Sequence, residues 1–238
     1  MDSDQRFQRD FWQSGGLISL EGDRLAIGWG AQSWQAEPCH QSPFSFYFPD
    51  FFLSEQRPWL TFEHGRIATI DELAHALPAM QNKNPLRWSP ADKNAFEDQC
   101  AHLSEEIGLG NLQKGVPYAF ERCEGFSLAH CHVSLASCLK MASCFPIFLY
   151  GFWNEKEGML GATPEHLFRQ KQADVWTIET SAIAGTVERD DIGWERDRKL
   201  KQEHEIVVRG IQEALSPYGM VTRKHTTLLP YSLLSHLC

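Results

Sequence analysis

The sequence has no apolar run long enough to cross a membrane. Its longest, Cys144 to Trp153, falls well short of the roughly 20 residues that a spanning helix requires. A secretory signal is missing as well, because Met1 to Trp12 is polar and charged, without a basic region followed by an apolar core. Positive charge is scarce: 22 Lys and Arg stand against 31 Asp and Glu, a formal net charge of -9. A protein that neutralises phosphates needs the opposite balance, so no nucleic-acid partner is expected. The seven cysteines, at 39, 100, 123, 131, 138, 144 and 238, are odd in number and irregularly spaced. That fits reduced, mostly buried thiols better than a disulfide framework. No internal repeat or low-complexity tract is visible. These absences together point to a cytoplasmic protein that binds neither membrane nor nucleic acid, and they leave its oligomeric state open.

What is present is core-forming material. With 238 residues, 42% of them hydrophobic and eight of them Trp, the chain can bury a substantial core and is not a disordered segment. Leu17 to Leu20, Leu25 to Trp29, Phe44 to Phe48 and Pro58 to Phe62 read as strands between turn signals, which makes the first ninety residues mostly antiparallel sheet. Pro90-Ala91-Asp92 opens a helix running to about Ile107, and a strand is expected over Lys114 to Phe120. A helix from Ser127 to Lys140, a strand from 145 to 153 and a hairpin turn at Asn154 to Gly158 follow. This non-alternating order argues for an α+β fold, antiparallel sheets flanked by helices, rather than a doubly wound parallel sheet. The expectation is one domain, with a strand-rich part over 1–90 and the chemistry-bearing part over 91–238.

His130-Cys131-His132, with Cys123 and Cys138 nearby, has the residue types of a zinc site. Residues two apart on a helix face different ways, however, and the spacing matches no common structural zinc pattern. No zinc site is expected there.

Four other places could carry chemistry. Gly161-Ala162-Thr163-Pro164-Glu165 reads as a helix start after an apolar strand, with Thr163 as cap, Pro164 first and Glu165 in the first turn. Such a position favours the ionised carboxylate, whereas a general acid needs a raised pKa from burial or nearby negative charge. On the helix expected from about Glu195 to Leu215, Leu200, Glu203, His204, Val207, Ile211 and Leu215 share one stripe. A carboxylate on that stripe must be paired, protonated or bound to a cation. Glu203 is therefore either a ligand for a hard ion such as Mg2+ or the partner of an Arg or Lys. Glu205, with Lys201 and Arg209 four residues to either side, reads as part of a solvated ion-pair ladder. Lys114 opens its expected strand on the face shared with Val116 and Tyr118; were that face interior, the amine would be desolvated and could act as a base. The turn Ile183-Ala184-Gly185-Thr186 offers backbone N–H groups that could hold a carboxylate.

The combination resembles the chorismate-utilising enzymes: isochorismate synthases, salicylate synthases, anthranilate synthase component I and aminodeoxychorismate synthase component I. The matching elements are Lys114-Gly-Val-Pro117, Gly161-Ala-Thr-Pro-Glu165, Ala182-Ile-Ala-Gly-Thr186 with Arg189, Glu203-His204-Glu205 and, more loosely, Ser235-His236-Leu237. The resemblance implies that Lys114 activates water for attack on the chorismate ring at C2 and that Glu165 protonates the departing C4 hydroxyl. It implies Glu203 as a Mg2+ ligand, Ala184, Gly185, Thr186 and Arg189 at the substrate carboxylates, and His236 lining the site. Anthranilate synthases usually carry Gln where Lys114 stands, and aminodeoxychorismate synthases place a nucleophilic Lys where Ala184 stands. The pattern therefore favours isochorismate formation, with salicylate or anthranilate synthesis and a non-catalytic member of the family as alternatives. A one-residue shift of register would bring Gln113 to the Lys position, although Val116-Pro117 supports the register adopted. Isochorismate feeds menaquinone, siderophores and salicylate alike. Two departures stand out: Ala182 replaces the family's Pro, and the sequence stops at Cys238 where family members continue with a further metal-binding Glu and a carboxylate-binding Arg. The expectation is that residues 1–238 alone have little or no synthase activity.

Overall fold

A computed structural model describes residues 3–76, 86–172, 176–188, 193–231 and 234–238. In chain order the first elements are α1 (Ser3–Gln13), β1 (Gly15–Ser19), β2 (Arg24–Gln35), β3 (Ser45–Tyr47), β4 (Trp59–Thr69) and α2 (Ile70–Ala76). Then come β5 (Arg87–Ser89), α3 (Lys93–Gly108), β6 (Arg122–Glu124), α4 (Leu128–Ala142), β7 (Phe148–Trp153) and β8 (Gly158–Thr163). The last are β9 (Arg169–Gln172), β10 (Trp176–Glu179), β11 (Thr186–Glu188), α5 (Arg198–Leu215), β12 (Leu228–Tyr231) and β13 (Leu234–Leu237). Every strand pairing among the described residues is antiparallel, so the chain mixes helix with antiparallel sheet, as expected of an α+β protein. Two compact units divide it: residues 1–85 with 126–164, and residues 86–125 with 165–238.

The first unit is built on a six-stranded sheet in the order β3-β4-β2-β1-β7-β8. Strand alternation sends Leu17, Leu25, Ile27, Leu149 and Trp153 to one face, all buried. Helices α1 and α4 cover that face with Phe11, Leu135 and Leu139. The Trp153 indole N–H donates to the Phe11 carbonyl at 2.9 Å, so the large ring is buried without orphaning its polar atom. On the opposite face Ala26, Phe46, Leu60 and Phe62 form a second cluster with Ile18, Trp34 and Phe152 packed against it. The Phe62 ring lies over the cross-strand pair Gly16 and Gly28, which leave the room it needs. A methyl on Gly28 would meet Phe62 Cδ2 at 2.4 Å.

Several local signals act here as the sequence suggests. Asn154 Oδ1 accepts from the N–H groups of Lys156 and Glu157 at 2.8 and 3.0 Å, closing the β7–β8 hairpin. Ser127 and His130 cap α4 reciprocally, while the His132 ring bonds to the Trp12 carbonyl at 2.9 Å. The two rings of the His-Cys-His cluster thus serve different partners. All seven cysteines are free thiols, and burial, reinforced by Cys138, pushes Cys131 up to about 11. Helix α1 has no counterpart among the elements read from the sequence. Among the described residues no helix is long and apolar enough to cross a membrane.

The second unit has a three-stranded sheet in the order β11-β13-β12, the two-stranded ribbons β5–β6 and β9–β10, and helices α3 and α5. Asp92 and Asp197 cap the two helices, accepting from Ala95 N at 3.1 Å and Leu200 N at 3.0 Å. Its core contains Ala184, Leu200, Val208 and Leu237 with the buried polar side chains His204 and Ser235. The β9–β10 ribbon is pinned at one end by Glu179, which pairs with Arg169 at 2.7 Å and Lys224 at 2.8 Å. Lys224 and Arg169 together hold its carboxyl down to about 2.

Overpacking under Phe62 gives a direct test of this core. Gly28→Ala is expected to lower stability by about 1–3 kcal/mol, measured by urea unfolding. Shortening the ring in the same background, Gly28→Ala with Phe62→Leu, is expected to recover part of the loss.

Candidate functional site

All the sequence-derived site residues that the structure describes fall in the second unit. Arg189 lies outside the described residues. The geometry begins with the turn before β11. Gly185 has φ 83°, a conformation in which a side chain is strained, and a Cβ there would lie 2.7 Å from Leu200 Cδ1. Glycine is therefore needed twice over, for its backbone angle and for the approach of α5. The turn is also tied to β13: Ala184 N–H donates to the Leu237 carbonyl and Leu237 N–H to the Gly185 carbonyl, both at 3.1 Å. Thr186 lies directly across from His236, and the Thr186 hydroxyl is hydrogen-bonded to His236 Nδ1 at 2.9 Å.

These hydrogen bonds narrow what the turn can offer a ligand. The Ala184 amide is used in the ladder, and the Ile183 N–H donates to Glu165 Oε1 at 3.4 Å. Gly185 and Thr186 remain as the turn's candidate donors; Ala184 shapes the turn without an amide to spare.

Glu165 does not start a helix. Pro164 ends the hairpin strand β8 with a bend, and the chain runs on irregularly into β9. The Thr-Pro-Glu signal is local, and it is overridden because Arg169–Gln172 pairs with Trp176–Glu179 as a ribbon instead of continuing a helical turn. The electrostatic consequence is that no helix terminus stabilises the ionised form. Burial raises the Glu165 pKa above the ordinary carboxylate value, opposed by the Ile183 N–H and by the charges of His166, His236 and Lys114. A held proton is what a general acid requires.

Lys114 is also placed differently from the sequence reading. Residues 113–121 form no strand. Pro117 interrupts the alternation, and Val116 and Tyr118, expected to share an interior face with Lys114, are 74% and 64% exposed. The close contact here is Gly115 against Leu103 of α3. Lys114 is not a lone desolvated amine: its Nζ lies 3.1 Å from Glu203 Oε1, with the two side chains 26% and 39% exposed.

Helix α5 supplies that carboxylate much as periodicity suggests. Leu200 and His204 are buried along it, Val208 is buried where Val207 was expected, and Glu203 is half-buried at the edge of the stripe. Of the two roles open to Glu203, the pairing with a lysine is the one present. Glu205 departs from its expected ladder, since its partner is Arg223 at 2.9 Å rather than Lys201 or Arg209. Arg223 comes from the segment before β12, so helix periodicity could not reveal it.

Three further groups complete the surroundings. The His204 ring contacts the Thr226 hydroxyl at 3.2 Å, and burial, with Arg223 adding to it, lowers its pKa. His166 Nδ1 and the Ser181 hydroxyl are 3.1 Å apart. Burial pushes the Cys238 thiol up, with Ser181 opposing and Glu165 reinforcing. His204 was visible on the apolar stripe and His166 adjoins Glu165 in the sequence; Cys238 is carried near Glu165 at the end of β13, which no local pattern encodes.

Mg2+ is ordinarily held by one or two carboxylates, with water and substrate oxygens completing its shell. Among the described residues no three His, Cys, Asp or Glu side chains cluster as a ready-made cage. Glu203 by itself would supply a single carboxylate to such a shell.

A sequence profile of chorismate binding enzymes matches residues 54–238, which takes in every candidate residue above. The chain belongs to this family of chorismate binding enzymes. No curated protein matches it.

The raised Glu165 pKa makes a stability prediction of definite sign. The folded chain keeps a proton that the unfolded chain has released, so Glu165 contributes stability below the ordinary Glu range that is lost as pH rises through the folded-state value. Glu165→Gln is expected to be the more stable form above that window and to converge with the parent below it. Urea unfolding between about pH 3 and pH 8 measures the gap, and a gap that stays constant contradicts the assignment.

Proposed function

We propose that the protein is a cytoplasmic isochorismate synthase, converting chorismate to isochorismate with Mg2+ as cofactor, on the chorismate-binding fold of anthranilate synthase component I. The observation that carries this reading is the pairing of chemistries in the second unit: a lysine and a protonation-prone glutamate within electrostatic reach of each other. Lys114 rather than Gln at its position, and Ala184 rather than Lys at its own, favour water over an amine as the nucleophile.

In this reading Lys114 takes a proton from water as the oxygen bonds to C2 of the ring. The ring double bond shifts, the bond from C4 to its hydroxyl breaks, and Glu165 gives that hydroxyl its proton so that it leaves as water. Transfer of the proton from Lys114 back to Glu165 restores both groups. Gly185 and Thr186 would hold a substrate carboxylate through their backbone, and His236, oriented by the Thr186 hydroxyl, would line the site. Glu203 would hold Mg2+, which when bound neutralises carboxylate charge and orients the dianion. Burial is what keeps Glu165 protonated in this scheme, and approach of the dianion would raise its pKa further.

Chromatographic product analysis of the natural full-length protein, with chorismate and Mg2+ and with or without ammonia, tests the proposal. Isochorismate is expected in both cases, with Lys114→Ala and Glu165→Gln each lowering the rate by about 10²–10⁴-fold. Anthranilate formed only with ammonia would assign the amination chemistry that Gln113 could serve, salicylate would assign lyase chemistry, and binding without turnover would assign a non-catalytic member.

A further inference from the structure

Under the proposed function Lys114 and Glu203 have separate tasks: one takes a proton from water, the other holds a cation. In the structure they hold each other, Nζ to Oε1 at 3.1 Å. A cation arriving at Glu203 would find an ammonium already on the carboxylate, and two positive charges at that range repel strongly in partly desolvated surroundings. For the oxygen that Lys114 holds, the two cations compete. Among the described residues, the groups that share the Lys114 field or adjoin Glu203 are poor substitutes. Glu165 lies within its field but is a group that burial inclines to keep its proton. His204, which also feels the Lys114 charge, is a base and not an anion, Glu205 is engaged by Arg223, and Arg223 is itself cationic. A released Lys114 amine is left with the dianionic substrate.

We propose that Lys114 and a divalent cation are alternative partners of Glu203, so that cation binding is what frees the amine from its counter-ion. This rests on the reading of Glu203 as the cation-holding carboxylate. Chemistry would then be coupled to loading: with no cation present, the Lys114 ammonium stays held on Glu203, whereas once released it gives its proton to solvent and can then take one from the attacking water.

Mn2+ binding, followed by the loss of the free-ion paramagnetic resonance signal, separates the possibilities without any turnover. Lys114→Met, with no ammonium to displace, is expected to bind Mn2+ about five- to tenfold more tightly than the parent, and Glu203→Gln to lose binding. If Glu203→Gln binds Mn2+ like the parent, Glu203 is not the ligand, and the reading beneath the proposal fails. If Glu203→Gln loses binding while Lys114→Met matches the parent, the cation assignment stands and the exchange is overturned. Absence of binding in every form overturns both. A second readout uses the unaltered protein: acetylation of Lys114 by acetic anhydride, quantified by peptide mass spectrometry. Mg2+ is expected to raise labelling at Lys114 several-fold over NaCl of matched ionic strength, and unchanged labelling overturns the exchange.

Discussion

The second unit depends on the approach of Gly185 to Leu200. At φ 83°, with a Cβ falling 2.7 Å from Leu200 Cδ1, any side chain would be strained, and glycine lets α5 lie against the turn before β11. From this contact the rest of the site follows in order. The turn sends the Ile183 N–H to Glu165, its next residues clasp Leu237, and the helix carries Glu203, less than one turn beyond Leu200, to Lys114. Backbone pairing and helix packing thus set the distances between charged groups that lie far apart in sequence.

The electrostatics of the site suit a chain whose overall charge is unfavourable to its ligand. At a net -9 the protein repels a dianion at long range, so attraction has to be local and arranged by short contacts. Burial disfavours ionisation of Glu165, and the Glu203 carboxylate is paired with Lys114. What an incoming anion meets is accordingly a set of donors and cations with little exposed negative charge of their own. Partial burial is what makes this possible, because the same groups fully in water would be screened.

Much of the scaffold was legible beforehand. Strand alternation around Leu25 and Ile27, the helix starts near Asp92 and Ser127, and the stripe positions Leu200 and His204 are signals that act over a few residues, and they act in the structure as they read. The failures share a cause. Thr163-Pro164-Glu165 has every local mark of a helix start, yet the following residues pair as a ribbon across Arg169–Glu179. Lys114 to Phe120 alternates like a strand, yet Pro117 and the lack of a neighbouring strand leave it irregular. In both cases strand pairing decided, present among Arg169–Glu179 and absent for 114–120 among the described residues, and short-range preferences of under about 1 kcal/mol per residue did not override it.

The sequence by itself determined the class of chemistry: which acids, amines and turns the chain possesses, their order, and through them its membership among chorismate binding enzymes. It also determined that Glu203 could not be left alone on an apolar stripe. Only the tertiary structure decided that Lys114 lies against Glu203, that Ala184 gives its amide to a strand and not to a ligand, and that burial, with no helix end nearby, raises the Glu165 pKa. The reason is physical: propensity and periodicity act along the chain, whereas charge pairing, desolvation and ladder bonds depend on distances through space that exist only once Gly185 has let the helix and the sheet meet.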